Sequence, residues 1–233
     1  MDSQIMKNYI QQKQSEIESS QNNFYTASGI HIYIKEPVDN INISKVINKV
    51  EERVPDHILS EIEMIIFGWF EEFEERSIRA FYDSGTIYVS NIQTDEDDVY
   101  EDIVHEIAHA VESTYGYEVY NDGKLRDEFV RKRRYLHDIL WDQGYKMPVT
   151  FFIDTEFNQE FDDMLYKNIG YDKLNGYAAG IFISSYAATS LREYFATAFA
   201  DFFVNPNHNF LKKISPVVYD KIISVLYEEQ LDI

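Results

Sequence analysis

One predicted helix constrains the fold of this chain more than any other segment. Thr94 is followed by four acidic residues, and unpaired N–H groups at a helix N-terminus favour a capping hydroxyl and negative charge. Apolar residues then recur at every fourth position: Val99, Ile103, Ile107 and Val111. This period predicts an amphipathic helix from about residue 95 to about residue 115, with Gly116 expected to end it.

The predicted helix carries the pattern H-E-x-x-H as His105-Glu106-Ile107-Ala108-His109. Residues four apart in a helix lie about 40° apart around its axis, so both imidazoles and Glu106 can face one ion. Neutral imidazoles are good zinc ligands, and a neighbouring carboxylate can accept a proton from a water that the ion activates. Because the chain has no cysteine, thiolate ligands are excluded. The pattern predicts zinc on His105 and His109 with Glu106 as general base, which is the chemistry of peptide-bond hydrolysis.

A catalytic zinc ion usually has three protein ligands, so one more must come from elsewhere. The extended three-histidine pattern is excluded, because Glu112 and Tyr115 stand where it requires glycine and histidine. A second helix, predicted from Ser190 to Val204, offers Glu193 on a face of small residues that can approach another helix closely. Glu193 also fits the capping box S-x-x-E, in which it would fold back onto the Ser190 amide. The spacing alone leaves both roles open.

Together, the two motifs resemble those of the anthrax lethal factor and Pro-Pro endopeptidase group of gluzincin zinc metallopeptidases. In that family the third zinc ligand is a glutamate, and a tyrosine seven residues before it points at the substrate carbonyl. Glu193 and Tyr186 match this interval. The resemblance therefore implies that Glu193 completes the zinc site and that Tyr186 donates to the developing oxyanion. Glu112 and Asp201 are both available to orient the imidazole rings, and the sequence does not select between them.

The resemblance is specific over residues 103–112 and 184–201, and two features depart from the family pattern. Ala108 stands where many relatives have glycine, and the interval between the two motifs is longer than usual. Residues 117–175 are therefore interpreted as an insertion that is placed to act as a wall or lid of the cleft.

The predicted fold class is α+β. Short runs of branched and aromatic residues predict a small, mainly antiparallel sheet, followed by the active-site helix and a mostly helical C-terminal half. The resemblance implies a zincin-like metallopeptidase domain over residues 21–233, and the polar residues 1–20 predict an N-terminal helical arm. It also implies that the strand Thr86–Asn91 is the sheet edge that lines the cleft, where an extended peptide could pair.

The charge of the chain restricts its partners. The net charge of −20 disfavours nucleic acid and anionic membrane surfaces and mildly favours basic peptides. The one basic run, Arg131–Arg134, is interpreted as a solvated helix face that pairs with Asp127 and Glu128. No signal peptide or transmembrane segment is visible, so we expect a cytoplasmic protein or one delivered by a non-classical or phage-associated route.

The leading hypothesis is a zinc-dependent endopeptidase that acts on an extended peptide or protein substrate. The alternative is a non-catalytic binding or regulatory protein on a zinc-peptidase scaffold. The presence of Glu106 argues against this alternative, because a binding module gains nothing from a general base. The sequence specifies no oligomeric state.

Overall fold

The computed structural model describes residues 22–76 and 78–227. The chain divides into two compact units, of which the first ends at Ile107 and the second begins at Ala108. This division falls inside one continuous helix, so that helix belongs to both units. The predicted helical arm of residues 1–20 lies outside the described residues.

The first unit contains a small mixed sheet, and with the many helices the class is α+β, as predicted. Its strands are β1 (Asn23–Tyr25), β2 (His31–Ile34), β3 (Met64–Gly68), β4 (Ala80–Asp83) and β5 (Thr86–Ser90). Their spatial order is β1-β2-β3-β5-β4. β1 with β2 and β4 with β5 pair antiparallel, whereas β2 with β3 and β3 with β5 pair parallel.

Two predictions about this sheet were wrong. It is not mainly antiparallel, because the helical connection between β2 and β3 carries the chain back to the end of the sheet where β2 began, as parallel pairing requires. The strand from Thr86 is not an edge, since β5 lies between β3 and β4. Ser84 and Gly85 have φ of 47° and 84°, and this tight turn folds β4 back along β5, so β4 takes the edge.

The helices of the first unit are α1 (Ile43–Arg53), α2 (Asp56–Leu59), α3 (Glu71–Arg76) and the start of α4 (Glu96–Tyr120). α4 confirms the predicted helix but continues past Gly116. A glycine inside a helix costs only about 1 kcal/mol relative to alanine. The turn that follows it buries Val119 and places the Tyr120 hydroxyl on Glu112, and these contacts hold the longer helix together.

The second unit is helical around a central helix. Its elements are α5 (Lys124–Asp142), α6 (Val149–Ile153), α7 (Gln159–Asp163), a π-helical turn (Met164–Ile169), α8 (Tyr171–Ala178), a 3₁₀ turn (Tyr186–Ala188), α9 (Leu191–Val204), α10 (Asn209–Ile214) and α11 (Pro216–Tyr227). α5 contacts α6, α8, α9 and α11. None of the described helices combines the length and the apolar composition that crossing a bilayer requires.

The interpretation of the basic run as a solvated face was wrong for its two middle residues. Lys132 and Arg133 are only 8% and 1% exposed. Arg133 donates to the backbone carbonyls of Asp154, at 2.8 Å, and Phe151, at 2.5 Å, and its guanidinium carbon lies 4.1 Å from the ring centroid of Phe161. Backbone carbonyls and an aromatic face thus replace the water that this charge would otherwise need.

Glu128, also expected at the surface, is buried and joins three helices. Its carboxylate accepts from the Tyr194 hydroxyl at 2.8 Å and from the backbone N–H groups of Val217 and Val218 at 3.1 and 3.3 Å. A carboxylate at a helix N-terminus satisfies unpaired donors and opposes the helix dipole. Glu128 therefore ties α5 to α9 and to the first turn of α11.

Candidate metal centre

α4 carries the two histidines of the H-E-x-x-H pattern. His105 and His109 are half-buried and lie one helical turn apart, and Glu106 between them is 7% exposed. Because both residues lie on the continuous helix α4, the helix itself fixes His105 relative to His109. This local arrangement agrees with what the spacing predicts.

α9 brings Glu193 to His109. Glu193 Oε1 lies 3.7 Å from His109 Nε2. α9 begins after the N-cap Ser190, whose Oγ accepts from the backbone N–H of Glu193 at 3.1 Å. The capping bond uses the backbone of Glu193, whereas its side chain faces the histidine. The structure thus shows the half of the capping box in which Ser190 accepts, and this half leaves the Glu193 carboxylate facing His109.

His105, His109 and Glu193 form a group that could hold a metal ion. One ligand atom of each lies within 4.8 Å of the others, and no other such group is found among the described residues. Ligands bound to one tetrahedral zinc ion at about 2.1 Å stand about 3.4 Å apart. The 3.7 Å between His109 and Glu193 is close to this value. Two imidazoles and a carboxylate thus fit a divalent metal ion.

Glu112 engages the other ring nitrogen of His109. His109 Nδ1 lies 2.7 Å from Glu112 Oε2, and the Glu112 side chain is 5% exposed. With Nδ1 engaged, Nε2 is the nitrogen that is left to face Glu193 and an ion. Of the two residues available to orient the imidazoles, Glu112 takes this position. Asp201 instead accepts from Asn205 at 2.6 Å.

A half-buried acid near His105 was missed in the sequence. Asp102 lies one turn before His105 on α4 and accepts from Arg79 and Gln93, each at 3.2 Å. Burial raises the pKa of Asp102, against the opposing effects of Arg79, Gln93 and His105. The three-residue spacing between Asp102 and His105 could have revealed this neighbour.

A second acid, Asp162, interacts electrostatically with Glu193. Tyr171, at the start of α8, donates to Asp162 on α7 at 3.3 Å. Burial raises the pKa of Tyr171, and the charges of Asp162 and Glu193 raise it further. Burial also raises the pKa of Asp162, and Glu193 contributes in the same direction. Asp162 and Tyr171 therefore both interact electrostatically with Glu193.

Tyr186 lies in the 3₁₀ turn that precedes α9 and is half-buried. Its backbone carbonyl accepts from the N–H and the hydroxyl of Thr189, at 3.0 and 2.8 Å. This turn packs against α9, the helix that carries Glu193. Tyr186 thus belongs to a structured segment that contacts the helix carrying the third residue of the metal group.

Comparisons with family models, curated proteins and solved structures find no match to this chain. The function is therefore inferred from the geometry of the metal group.

The two roles of Glu193 can be separated by substitution. Glu193→Gln is expected to weaken zinc affinity by more than the roughly 10–100-fold typical of residues that only support a ligand. Ser190→Ala, the matched control for the cap, is expected to cost about 1 kcal/mol of stability with little change in zinc affinity. Chelator competition and urea unfolding of the metal-free protein measure the two effects. Unchanged zinc affinity in Glu193→Gln would remove this residue from the ligand set.

Proposed function

We propose that the protein is a zinc-dependent endopeptidase with a zincin-like fold, of the lethal factor and Pro-Pro endopeptidase type. The observation that carries this proposal is the group of His105, His109 and Glu193, whose ligand atoms lie within 4.8 Å of one another. A set of two imidazoles and one carboxylate, without a thiolate, is typical of catalytic zinc in peptidases. Bound zinc supplies a Lewis acid that polarises the scissile carbonyl and makes water more acidic.

Glu106 is the proposed general base. Its side chain lies next to the first histidine in the sequence and is 7% exposed, so bulk water has little access to the carboxylate. The carboxylate accepts a proton from the attacking water and later passes it to the leaving amine. The substrate is an extended peptide, and the net charge of −20 favours basic sequences through electrostatic steering.

Tyr186 is the proposed donor to the oxyanion. A hydroxyl placed at the scissile carbonyl stabilises the charge that develops on the oxygen more than it stabilises the substrate. We expect Tyr186→Phe to lower kcat by on the order of 10²-fold with unchanged zinc content. Steady-state kinetics and metal analysis on the same sample measure this. An unchanged kcat would assign the ring a packing role only.

The proposal as a whole is tested by metal analysis followed by cleavage of a peptide library. Protein purified without chelators and supplied with zinc is expected to hold one zinc ion per chain and to cleave library members. His105→Ala should lose the zinc, whereas His57→Ala, a histidine outside the metal group, should keep it. A wild-type protein without bound metal would contradict the proposal. Zinc binding without cleavage would favour the non-catalytic alternative.

A further inference from the structure

Glu112 and Arg192 connect the two helices that carry His109 and Glu193. Glu112 lies on α4, one turn after His109, and Arg192 lies on the first turn of α9, directly before Glu193. Arg192 Nε donates to Glu112 Oε2 at 3.2 Å. Each partner of this ion pair is therefore a close neighbour of one residue of the metal group.

Glu112 is the centre of a small network. Its Oε1 accepts from the Tyr120 hydroxyl, and its Oε2 is shared by His109 Nδ1, at 2.7 Å, and Arg192 Nε. With only 5% of its side chain exposed, the carboxylate depends on these partners to replace water. Burial and the adjacent carboxylate raise the pKa of Tyr120, so its hydroxyl remains a donor. The position of Oε2 is thus determined by groups from both helices.

We propose that Glu112 and Arg192 are positioning residues that set the separation between His109 and Glu193 for metal binding. Glu112 orients the imidazole through Nδ1, and through Arg192 the same oxygen anchors the turn of α9 from which Glu193 projects. The planar guanidinium makes this contact in a fixed direction, which a lysine ammonium does not reproduce. This inference rests on the proposed metal centre. A purely structural ion pair would support the stability of the helices without changing metal affinity.

Zinc affinity, measured by chelator competition, separates these roles. Glu112→Gln and Arg192→Met are each expected to weaken zinc binding about 10–100-fold. The controls Glu118→Gln and Arg134→Met alter exposed residues of the same types on α4 and α5, and should stay within about twofold. The double variant should lose less affinity than the product of the two single losses, because the pair acts as a unit. Unchanged affinity in the single variants, or fully multiplicative losses, would overturn the proposal.

A measurement on the metal-free protein tests the role of Glu112 independently of the proposed function. Nitrogen-15 NMR of the metal-free protein, at a pH about two units above the ordinary histidine pKa, reports which ring nitrogen carries the proton. In the wild type we expect the His109 proton on Nδ1, facing Glu112. In Glu112→Leu it should redistribute towards Nε2. A wild-type proton on Nε2 would overturn the role of Glu112, whereas absent zinc binding with the expected tautomer would count against the proposed function alone.

Discussion

Glu106→Gln is expected to retain zinc and the fold, while kcat/KM for hydrolysis falls by about 10²–10⁴-fold. This is the usual contribution of a positioned general base. The amide has almost the same size as the carboxylate, so the 7% exposed position stays filled. It cannot accept the proton of the attacking water. Because Glu106 is not a member of the metal group, zinc content should not change.

The measurement is kcat/KM on a cleaved library peptide, together with zinc content and urea unfolding of the same preparation. Glu118→Gln, which changes an exposed glutamate of the same helix, is the matched control and should retain full activity. Comparable hydrolysis by the Glu106 and Glu118 variants would mean that another base operates or that the assay follows a contaminant.

The arrangement of the two histidines could be predicted because it depends only on residues that are close in the sequence. His105 and His109 are brought together by one helix, whose period and capping residues are visible in the sequence. The role of Glu193 could not be decided, since a capping box and a ligand-bearing turn share the same spacing. The structure shows a backbone bond to Ser190 and a side chain that faces His109, which no single spacing rule describes.

Pairing in the sheet and burial of charge depend on distant residues, and the sequence reasoning failed there. Successive side chains point to opposite faces in parallel and antiparallel strands alike, so the alternation in β2 could not reveal its parallel pairing with β3. A run of basic residues is usually solvated. Arg133 can be buried because the carbonyls of Phe151 and Asp154 accept hydrogen bonds from its guanidinium. These acceptors are distant from Arg133 in the sequence, so they could not be predicted from its neighbours.

Replacing residues 117–175 with a short Gly/Ser linker is expected to unfold the second unit. The stretch contributes large apolar side chains that are at most 1% exposed: Leu125, Phe129, Leu136, Leu140, Phe152, Phe161, Leu165 and Leu174. Losing one such side chain typically costs about 2–5 kcal/mol, and a whole domain is stable by only about 5–15 kcal/mol. Far-UV circular dichroism and urea unfolding should therefore show loss of the cooperative transition.

A graded variant tests the same dependence without deleting the segment. Arg133→Met removes the donor to Phe151, Asp154 and, at 3.5 Å, the Thr189 carbonyl just before α9. It should cost about 2–5 kcal/mol, through unsatisfied carbonyls and lost packing, whereas the exposed Arg134→Met should stay within about 0.5 kcal/mol. A linker variant that unfolds cooperatively and binds zinc like the wild type would contradict this dependence, and would mean that residues 117–175 act only as a wall or lid.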